Sequence, residues 1–557
     1  MQLPSPQRAA LHLSFLITLL LSGNRLTAQP VMLDPNFGDH GIISLDIGGF
    51  VKIIDLAVLP DEKILVALND GRIWRFLPDG RIDGSFGEQG KIQLPFDNIF
   101  LEDMTLTTDL KMLLTGRIEG STTSDLLLLR LHPDGTPDET FGENGQIIFG
   151  YLPETFEQGQ VIIEQPDGKI LVGGQISNVH LYEPDRFPIL LLRFKEDGTP
   201  DPSFGNAGLA LPQFDRNGSG ISDLKIQADG KILLCGTVIE PISPDEGLPF
   251  AALMRCREDG SIDPDFGTDG LTRVNLAMPN DSLLAGGIDQ EFQKISLQSD
   301  GKIVALGRKF YVTNQAILGW LGPSTYDTYE MVLARFQPEG SPDPTFGIDG
   351  LMEGPISIYG PELMSLAIAG QDTLYVGHFS DVTNDQPGDF PDLAVSKYLP
   401  DGLPDLSFGQ EGTVRIVGEV REVVSNIRLV QDGILFAGHS RTIPGAARQL
   451  ILGKLLTGHL VLPAIERSDL LLSVQVYPNP FHFDIHLDIQ LSNKSPVKIR
   501  IINLQGQVLE THSLGTLPAG HYQKNITPDQ SLSPGPYFVE LQAGTDREYR
   551  LLLKVKD

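Results

Sequence analysis

The 557-residue sequence is poor in several features that would restrict its function. It contains two cysteines, too few for a disulfide scaffold. Lysine and arginine total 42 against 72 aspartate and glutamate residues, which gives a formal net charge of −30. A chain this acidic is not expected to bind nucleic acid or an anionic membrane. Its one long apolar stretch, Ala9–Leu21, has 13 residues, whereas spanning a bilayer takes roughly 20. No transmembrane segment is therefore predicted.

Common catalytic motifs are also missing. The sequence has no G-x-S-x-G elbow, no Walker loop and no H-E-x-x-H pair. His482, Asp484 and His486 would share one strand face and could bind a metal, but they alternate with apolar residues, so a solvated strand face is the favoured interpretation. No catalytic residue, metal or cofactor is predicted.

The N-terminus predicts export. Arg8 precedes the apolar stretch, and small and polar residues follow it as far as Ala28. This is the pattern of a secretory signal peptide, so residues 1–28 are predicted to be removed by cleavage after Ala28. The remaining chain is too long for one compact core, and its 59 glycines and 40 prolines favour many short strands.

The C-terminal segment differs in charge from the rest of the chain. Val474–Asp557 has eight basic and eight acidic residues, so the excess of acid lies before it. Val497, Ile499 and Ile501 alternate with polar residues, as in a half-buried antiparallel strand. Residues 474–557 are predicted to form a small β-sandwich, joined to the preceding domain by a linker at 458–473.

The motifs of this segment resemble the type A C-terminal sorting domain of the type IX (Por) secretion system. They are YPNP, INLQGQVL, LPAGHY and GPYFVEL, and their motif residues are Tyr477, Pro478, Asn479, Pro480, Gly506, Gly520, Tyr522, Gly535 and Tyr537. The resemblance implies a Bacteroidetes-type bacterium, interaction with the type IX machinery, and removal of the tail during export. Release or attachment to surface lipopolysaccharide would follow. The alternative is a C-terminal binding sandwich.

Between the two ends, one unit occurs seven times. A Phe-Gly turn recurs at Phe37, Phe86, Phe141, Phe204, Phe266, Phe346 and Phe408, with a mean spacing near 62 residues. Two further elements recur in step with it, a D-G-K turn such as PDGKILVGG and a strand such as LLRFKEDG. Lysine or glycine is missing from some of the D-G-K elements, and arginine is missing from the strand element of the last two units.

Each unit predicts four short strands, and a single four-stranded sheet cannot bury its own faces. The sequence therefore predicts an all-β fold, a seven-bladed β-propeller of four-stranded repeats over residues 29–457, followed by the small C-terminal β-sandwich. An open β-solenoid is the alternative. The units resemble the delta-60 repeat family, which implies a propeller but no established activity.

The repeated acidic and aromatic residues have structural explanations. Asp138, Asp201, Asp263 and Asp343 lack the spacing of a calcium-binding loop, and turn formation explains them without a metal. The repeated phenylalanines are predicted to be core wedges between blades. They are not expected to stack on bases, given the acidic charge.

Loops of variable length are expected on one face of the ring, opposite the uniform D-G-K and Phe-Gly turns. Rigid scaffolds usually carry recognition on such loops. The candidate ligand contacts are Tyr182, Trp320, Tyr326 and Tyr329, because aromatic rings stack on apolar and sugar surfaces. The alternative is that these residues only cover blade edges.

The two cysteines fall on neighbouring strands of the fourth unit. Cys235 and Cys256 are expected on the same face of the sheet, where a disulfide is conceivable, but two buried small hydrophobic residues are the preferred interpretation.

Three functional hypotheses follow. The first is a non-enzymatic binding or scaffold propeller, secreted or attached to the outer-membrane surface, with a glycan or protein ligand on the variable loops. The second is a polysaccharide-active enzyme that uses carboxylates on a propeller face. The third is a structural component of the cell surface, which would self-associate.

Overall fold

A computed structural model describes the part of the chain on which the following account rests. The described residues are 32–48, 51–120, 122–178, 189–214, 219–243, 246–276, 289–313, 326–357, 364–379, 393–416, 421–441, 448–457, 472–477, 485–491, 494–502, 508–528, 532, 535–543 and 546–554. The chain divides into two compact units, Met1–Pro463 and Ala464–Asp557, and the division falls inside the segment predicted as a linker. In the described residues, no helix is long and apolar enough to cross a membrane.

The first two strands described are β1 (Met32–Leu33) and β2 (Ile42–Asp46). Blade 1 contains β3 (Ile53–Val58), β4 (Ile64–Leu68), β5 (Arg72–Phe76) and β6 (Lys91–Gln93). Blade 2 contains β7 (Ile99–Leu106), β8 (Met112–Glu119), β9 (Ser124–Leu131) and β10 (Gln146–Phe149). Blade 3 contains β11 (Thr155–Glu164), β12 (Ile170–Asn178), β13 (Ile189–Phe194) and β14 (Leu209–Ala210).

Blade 4 contains β15 (Ser219–Ile226), β16 (Ile232–Ser243), β17 (Glu246–Cys256) and β18 (Leu271–Val274). Blade 5 contains β19 (Asp289–Leu297), β20 (Ile303–Thr313), β21 (Tyr326–Phe336) and β22 (Leu351–Ser357). Blade 6 contains β23 (Ser365–Ala369), the 3-10 turn Gly370–Asp372, β24 (Thr373–Phe379), β25 (Leu393–Tyr398) and β26 (Thr413–Ile416). Blade 7 contains β27 (Arg421–Val430), β28 (Gly433–Arg441) and β29 (Arg448–Leu456).

The seven blades form the predicted propeller. In each blade the strand before the D-G-K turn is innermost, and the strand after the Phe-Gly turn is outermost. The innermost strands contact one another in the order β3, β7, β11, β15, β19, β23 and β27, and β27 contacts β3. A sequence unit counted from its Phe-Gly turn is therefore one strand out of phase with a blade, and this turn lies within a blade rather than between blades.

The N-terminal strand closes the ring. The fourth strand of blade 7 is β2, which pairs antiparallel with β29 from Ile42–Gly453 to Asp46–Gln449. Between blade 7 and blade 1, the Asn426 side-chain amide donates to the Ile54 carbonyl at 3.2 Å. Blade 7 is thus assembled from both ends of the propeller sequence.

The repeated phenylalanines lie between blades, as predicted. Phe204 of blade 3 is fully buried and lies under the D-G turn of blade 4. A Cβ atom on Gly260 in that turn would stand 2.7 Å from the Phe204 ring. Gly260 also has φ +84°, a conformation that favours glycine. The close contact between the phenylalanine ring and the glycine therefore explains why both residue types recur in the repeat.

The C-terminal unit is the predicted sandwich of two antiparallel sheets. One sheet has the order β30–β31–β34 and the other β33–β32–β35–β36. The strands are β30 (Leu472–Tyr477), β31 (Ile485–Leu491), β32 (Ser495–Ile502), β33 (Val508–Leu517), β34 (Gly520–Ile526), β35 (Gly535–Ala543) and β36 (Asp546–Lys554). Alternate residues of β31, β32 and β35, including Ile489, Ile499 and Val539, form one buried core.

The cysteine prediction is half right. Both thiols are free and buried, as preferred, but they do not share a face. Ile232 pairs with Cys256, so Cys235 stands opposite Leu253, three residues away. An odd separation in an antiparallel register puts two side chains on opposite faces. Burial raises the pKa of Cys256 to about 12 and also raises that of Cys235.

Candidate functional site

One face of the ring carries the D-G-K and Phe-Gly turns, here called the DG face. The other carries the loops after the second and fourth strands, here called the variable face. Antiparallel connections require this separation because successive turns lie at opposite ends of the strands. The two faces, and the channel formed by the innermost strands, are the places where a site could be built.

The charged residues of the DG face hold each blade together. In blade 3, Arg193 donates to Asp201 at 2.8 Å, and the other Oδ of Asp201 accepts the Ser203 backbone N–H at 3.0 Å. The same arginine–aspartate bond recurs at 2.7–2.9 Å in Arg75–Asp83, Arg130–Asp138, Arg255–Asp263 and Arg335–Asp343. The lysine after D-G adds a second cation, as in Lys231–Asp263 at 3.2 Å.

These contacts confirm that the repeated aspartates form turns. Burial opposes ionisation of Asp201, but hydrogen bonds from Ser203 and the Arg193 charge lower its pKa to about 2. Its oxygens are therefore committed to protein donors. In the described residues, no group of three or more histidine, cysteine, aspartate or glutamate side chains is placed to hold a metal.

The same arginines join neighbouring blades. Arg255 of blade 4 donates to the Pro338 carbonyl of blade 5 at 2.8 Å and lies 4.6 Å over the Phe266 ring. Four other arginines bridge in the same way, to the carbonyls of Pro133, Glu196, Glu258 and Pro400. We call this arrangement the arginine clamp. Blades 6 and 7 have Lys397 and Lys454 at the clamp position.

Of the four predicted ligand contacts on the variable face, only the side chain of Tyr329, in blade 5, is described by the structure. Tyr329 on β21 lies 4.9 Å from Phe310 on β20, ring to ring, and Arg308 lies 5.6 Å over Tyr329. Arg308 is held by Glu291 at 2.9 Å. Tyr326 begins β21, but its side chain, like Tyr182 and Trp320, lies outside the described set. The structure therefore brings Tyr329 together with an arginine and a phenylalanine, and the other three candidates stay predictions.

Sequence reasoning missed a second aromatic group on the variable face, between blades 2 and 3. Arg117 lies 4.4 Å over Phe100, which is 36% exposed, and Phe156 of blade 3 has the same exposure. Gln158 donates to Glu102 at 2.7 Å across the junction. Phe100 precedes no turn and belongs to no repeated element, so it can be recognised as a candidate contact residue only from its position in the blade.

Sequence reasoning also missed a charged cluster along the channel. Asp55, Asp103 and Asp223 occupy equivalent places after a bulge in β3, β7 and β15. Lys294 follows the corresponding bulge in β19, and Arg428 of β27 reaches Asp55 at 2.5 Å. We call these five residues the channel cluster. The sequence feature that could have indicated this cluster is an aspartate followed by leucine or methionine, which recurs in three of the innermost strands.

The channel cluster links innermost strands. Asp103 accepts the Ile162 N–H of blade 3 at 2.9 Å, and Asp223 accepts the Ile295 N–H of blade 5 at 3.0 Å. The bulges in those next blades disrupt the strand ladder, and the aspartates bond these backbone groups. Burial, reinforced by the Asp55 charge, raises the pKa of Asp103 to about 7, whereas the lysines lower that of Asp223 against its burial.

Two family models match the sequence. The first, described as a secretion system C-terminal sorting domain, matches residues 475–554. The second, described as a domain of unknown function (DUF5122) beta-propeller, matches residues 111–141, 165–204 and 227–266, which lie in blades 2, 3 and 4. The chain is a β-propeller protein with a type IX sorting domain. Among curated proteins, no sequence matches it significantly.

Solved structures of similar shape were also found. A polysaccharide lyase, Uly1, is 11% identical with a TM-score of 0.39, over 78% of this chain and 93% of that one. An α-L-arabinanase of Penicillium chrysogenum is 9% identical with a TM-score of 0.36, over 63% and 92%. A Trypanosoma rangeli sialidase is 7% identical with a TM-score of 0.33, over 80% and 83%. Values this low establish nothing about activity.

The sorting domain contains the predicted motif residues. Gly520 and Tyr522 lie in β34, where the Tyr522 hydroxyl donates to the Pro518 carbonyl at 2.8 Å. Gly535 and Tyr537 lie in β35, and Tyr537 is buried in the sandwich core. Tyr477 ends β30, and the remaining motif residues, Pro478, Asn479, Pro480 and Gly506, lie outside the described part of the chain. The sorting domain marks the propeller for export and for interaction with the secretion machinery.

Proposed function

We propose that this exported propeller is a non-enzymatic binding or scaffold protein, secreted or held at the outer-membrane surface, that recognises a glycan or protein ligand on its variable face. In this proposal a signal peptide ending at Ala28 brings it to the periplasm of a Bacteroidetes-type bacterium. The type IX machinery then exports it. The repeated units are of the delta-60 kind.

The proposal rests on a difference between the two faces of the propeller. The repeated residues form the contacts that build each blade and join it to the next, as in the arginine clamp. The residues that do not repeat include two arginine–aromatic pairs on the opposite face, Arg308 with Tyr329 and Arg117 with Phe100. Partly exposed rings beside guanidinium groups suit sugar or protein surfaces.

A polysaccharide-active enzyme is the second candidate, and the channel cluster is the observation that favours it. Enzymes that cleave glycosidic bonds need one carboxyl group protonated and one ionised at working pH. In the channel cluster, burial raises the pKa of Asp103 and the lysines lower that of Asp223. Both groups already accept backbone N–H bonds, however, so a structural role explains them without a substrate.

A panel of polysaccharides separates these candidates. The full chain is incubated with each polysaccharide, and retained and shortened chains are measured by mass spectrometry. Retention without shortening supports the binding proposal. Shortened products that disappear with Asp103→Asn make it an enzyme. A chain that neither retains nor shortens any member but self-associates would favour a structural surface component and contradict the glycan part of the proposal.

A further inference from the structure

A cavity of about 340 Å³ opens between blade 7 and blade 1 on the DG face. Its lining includes Glu62, Ile64 and Pro78 from blade 1 and Val430, Asp432 and Lys454 from blade 7. We call it the seam cavity, because it lies where the two ends of the propeller sequence meet. Its volume is at the lower end of ligand sites, roughly 300 to 1,000 Å³.

The equivalent position between blades 4 and 5 is filled by an arginine. There Arg255 donates to the Pro338 carbonyl at 2.8 Å and to Gln227 Oε1 at 3.2 Å. The repeat places Lys454 where Arg255 stands, Val430 where Gln227 stands and Pro78 where Pro338 stands. The seam cavity is therefore an arginine clamp without its arginine and glutamine.

A deletion in blade 7 explains why Lys454 does not fill the space. Blades 1 to 5 have a lysine at the last position of the D-G-K turn. In blade 7, Gly433 is followed directly by Ile434, so this lysine is missing. Lys454 takes over that lysine's contacts, with Nζ 2.9 Å from Asp432 and 3.4 Å from Asp34. Its ammonium is held by these two carboxylates, and in the described part of the chain no side chain donates a hydrogen bond to the Pro78 carbonyl.

The charges around the seam cavity favour a cation. Asp432 and Glu62 are both exposed, and Asp34 stands behind Lys454. The lining thus carries two carboxylates, Asp432 and Glu62, and one ammonium group, that of Lys454, and most of its other residues are apolar. A guanidinium is weakly hydrated and carries its donors on a flat fork, so it suits such a surface better than an ammonium does.

We propose that the seam cavity binds an arginine side chain of a partner polypeptide. The guanidinium would donate to the Pro78 carbonyl, as Arg255 does to Pro338, and would pair with Asp432 and Glu62. The alkyl part of the arginine would lie against Val430 and Ile64. The proposal is independent of the variable face and of any ligand there.

The test uses the full chain and a capped tripeptide, acetyl-Gly-Arg-Gly-amide, in isothermal titration calorimetry. The expected result is saturable 1:1 binding, with acetyl-Gly-Lys-Gly-amide at least tenfold weaker. Lys454→Arg supplies the missing guanidinium from within and is expected to weaken peptide binding at least tenfold while raising the melting temperature. Val430→Gln restores the other missing side chain and is expected to weaken binding as well.

Lys397→Arg is the matched control, because Lys397 is the clamp residue of blade 6 and pairs with Asp405 at 2.7 Å, away from the seam cavity. It should leave peptide binding unchanged. The proposal is overturned if no saturable heat is seen, if the two peptides bind equally, or if the folded Lys454→Arg and Val430→Gln variants bind the peptide as wild type does.

Discussion

Lys454 on β29 pairs with Asp34, between β1 and β2, at an Nζ–Oδ2 distance of 3.4 Å. It is the ring-closing version of the bond that Arg193 and Asp201 make within blade 3 at 2.8 Å. In the other blades the two partners are close in sequence, whereas here they come from opposite ends of the propeller. The bond therefore reports on closure of the ring, together with the pairing of β2 and β29.

Asp34→Ala is expected to weaken that closure. Asp34 is 8% exposed, and its loss leaves Lys454 with Asp432 alone. Removing one partner of a largely buried ion pair leaves the other partner less well satisfied and costs about 1–3 kcal/mol, so the free energy of unfolding should fall by that amount. Urea denaturation measures it. Asp39→Ala, at a fully exposed site five residues on, is the control and should change little; equal effects would contradict the role of Asp34.

Comparing two glycines with similar backbone angles tests the contribution of the Phe204 ring packed between blades. Gly260 has φ +84° and lies against Phe204, whereas Gly230 has φ +80° and has no atom closer to an added Cβ than 3.8 Å. Both substitutions to alanine pay the positive-φ cost of about 1 kcal/mol. Gly260→Ala must also displace the Phe204 ring, so it should lower stability by at least a further ~2 kcal/mol. Similar melting temperatures for the two variants would contradict the wedge.

The channel cluster predicts a pH dependence. Asp103 has a folded-state pKa of about 7, above the unfolded value of about 3.9. The folded state therefore holds a proton that the unfolded state releases, and stability from this group falls as pH rises from about 4 to 7, by at most ~1.4 kcal/mol per pH unit. Asp103→Asn should flatten this slope in denaturation curves measured at pH 5 and 7.5, while an unchanged slope would count against a raised pKa.

The DG face predicts the opposite dependence at lower pH. Asp83 and Asp201 have pKa values of about 2, because hydrogen bonds and arginines outweigh burial. Their stabilisation is complete above the unfolded pKa of about 3.9 and is lost as pH falls towards 2. Asp103→Asn should leave this acid limb untouched, which separates the two groups experimentally.

The cysteines predict chemical inertness. Cys235 and Cys256 are free, buried and on opposite faces of their sheet, and burial raises both thiol pKa values. We expect neither to react with iodoacetamide at pH 8 in the native protein, and both to react after unfolding without reductant, since the thiolate is the reactive form. A disulfide-linked peptide in a non-reducing digest would contradict this arrangement.

The sequence was sufficient for the propeller because the repeated residues are those that join blades. Phe204, Asp201 and Arg193 recur since each blade junction needs the same ring, turn and bond. It was not sufficient for the phase of a blade, because a cyclic repeat can be cut at any strand. The strand order within the blades and the contacts between the innermost strands show that the strand after each Phe-Gly turn is the outermost one.

The candidate site was less accessible from sequence. Tyr329 could be found because the segment between the D-G-K turn and the next strand element is long in this unit. The structure places Tyr329 on β21, and its partners Phe310 and Arg308 lie on the paired strand β20 and are identified only by register. Asp103 and Asp223 looked like ordinary polar residues of half-buried strands. A bulge in each strand changes the alternation locally, and a one-residue shift moves a side chain to another face.

The central claim is that the glycan or protein ligand is recognised on the variable face, whereas the repeated charged residues of the DG face build and join the blades. The direct test is to measure retention of the best-binding member of the polysaccharide panel by two variants, Arg308→Ala/Tyr329→Ala on the variable face and Lys169→Ala on the DG face. Lys169 is a partly exposed D-G-K lysine and serves as the matched control. The account predicts at least a tenfold loss of affinity for the first variant and none for the second, whereas unchanged retention by the first, or loss only by the second, would contradict it.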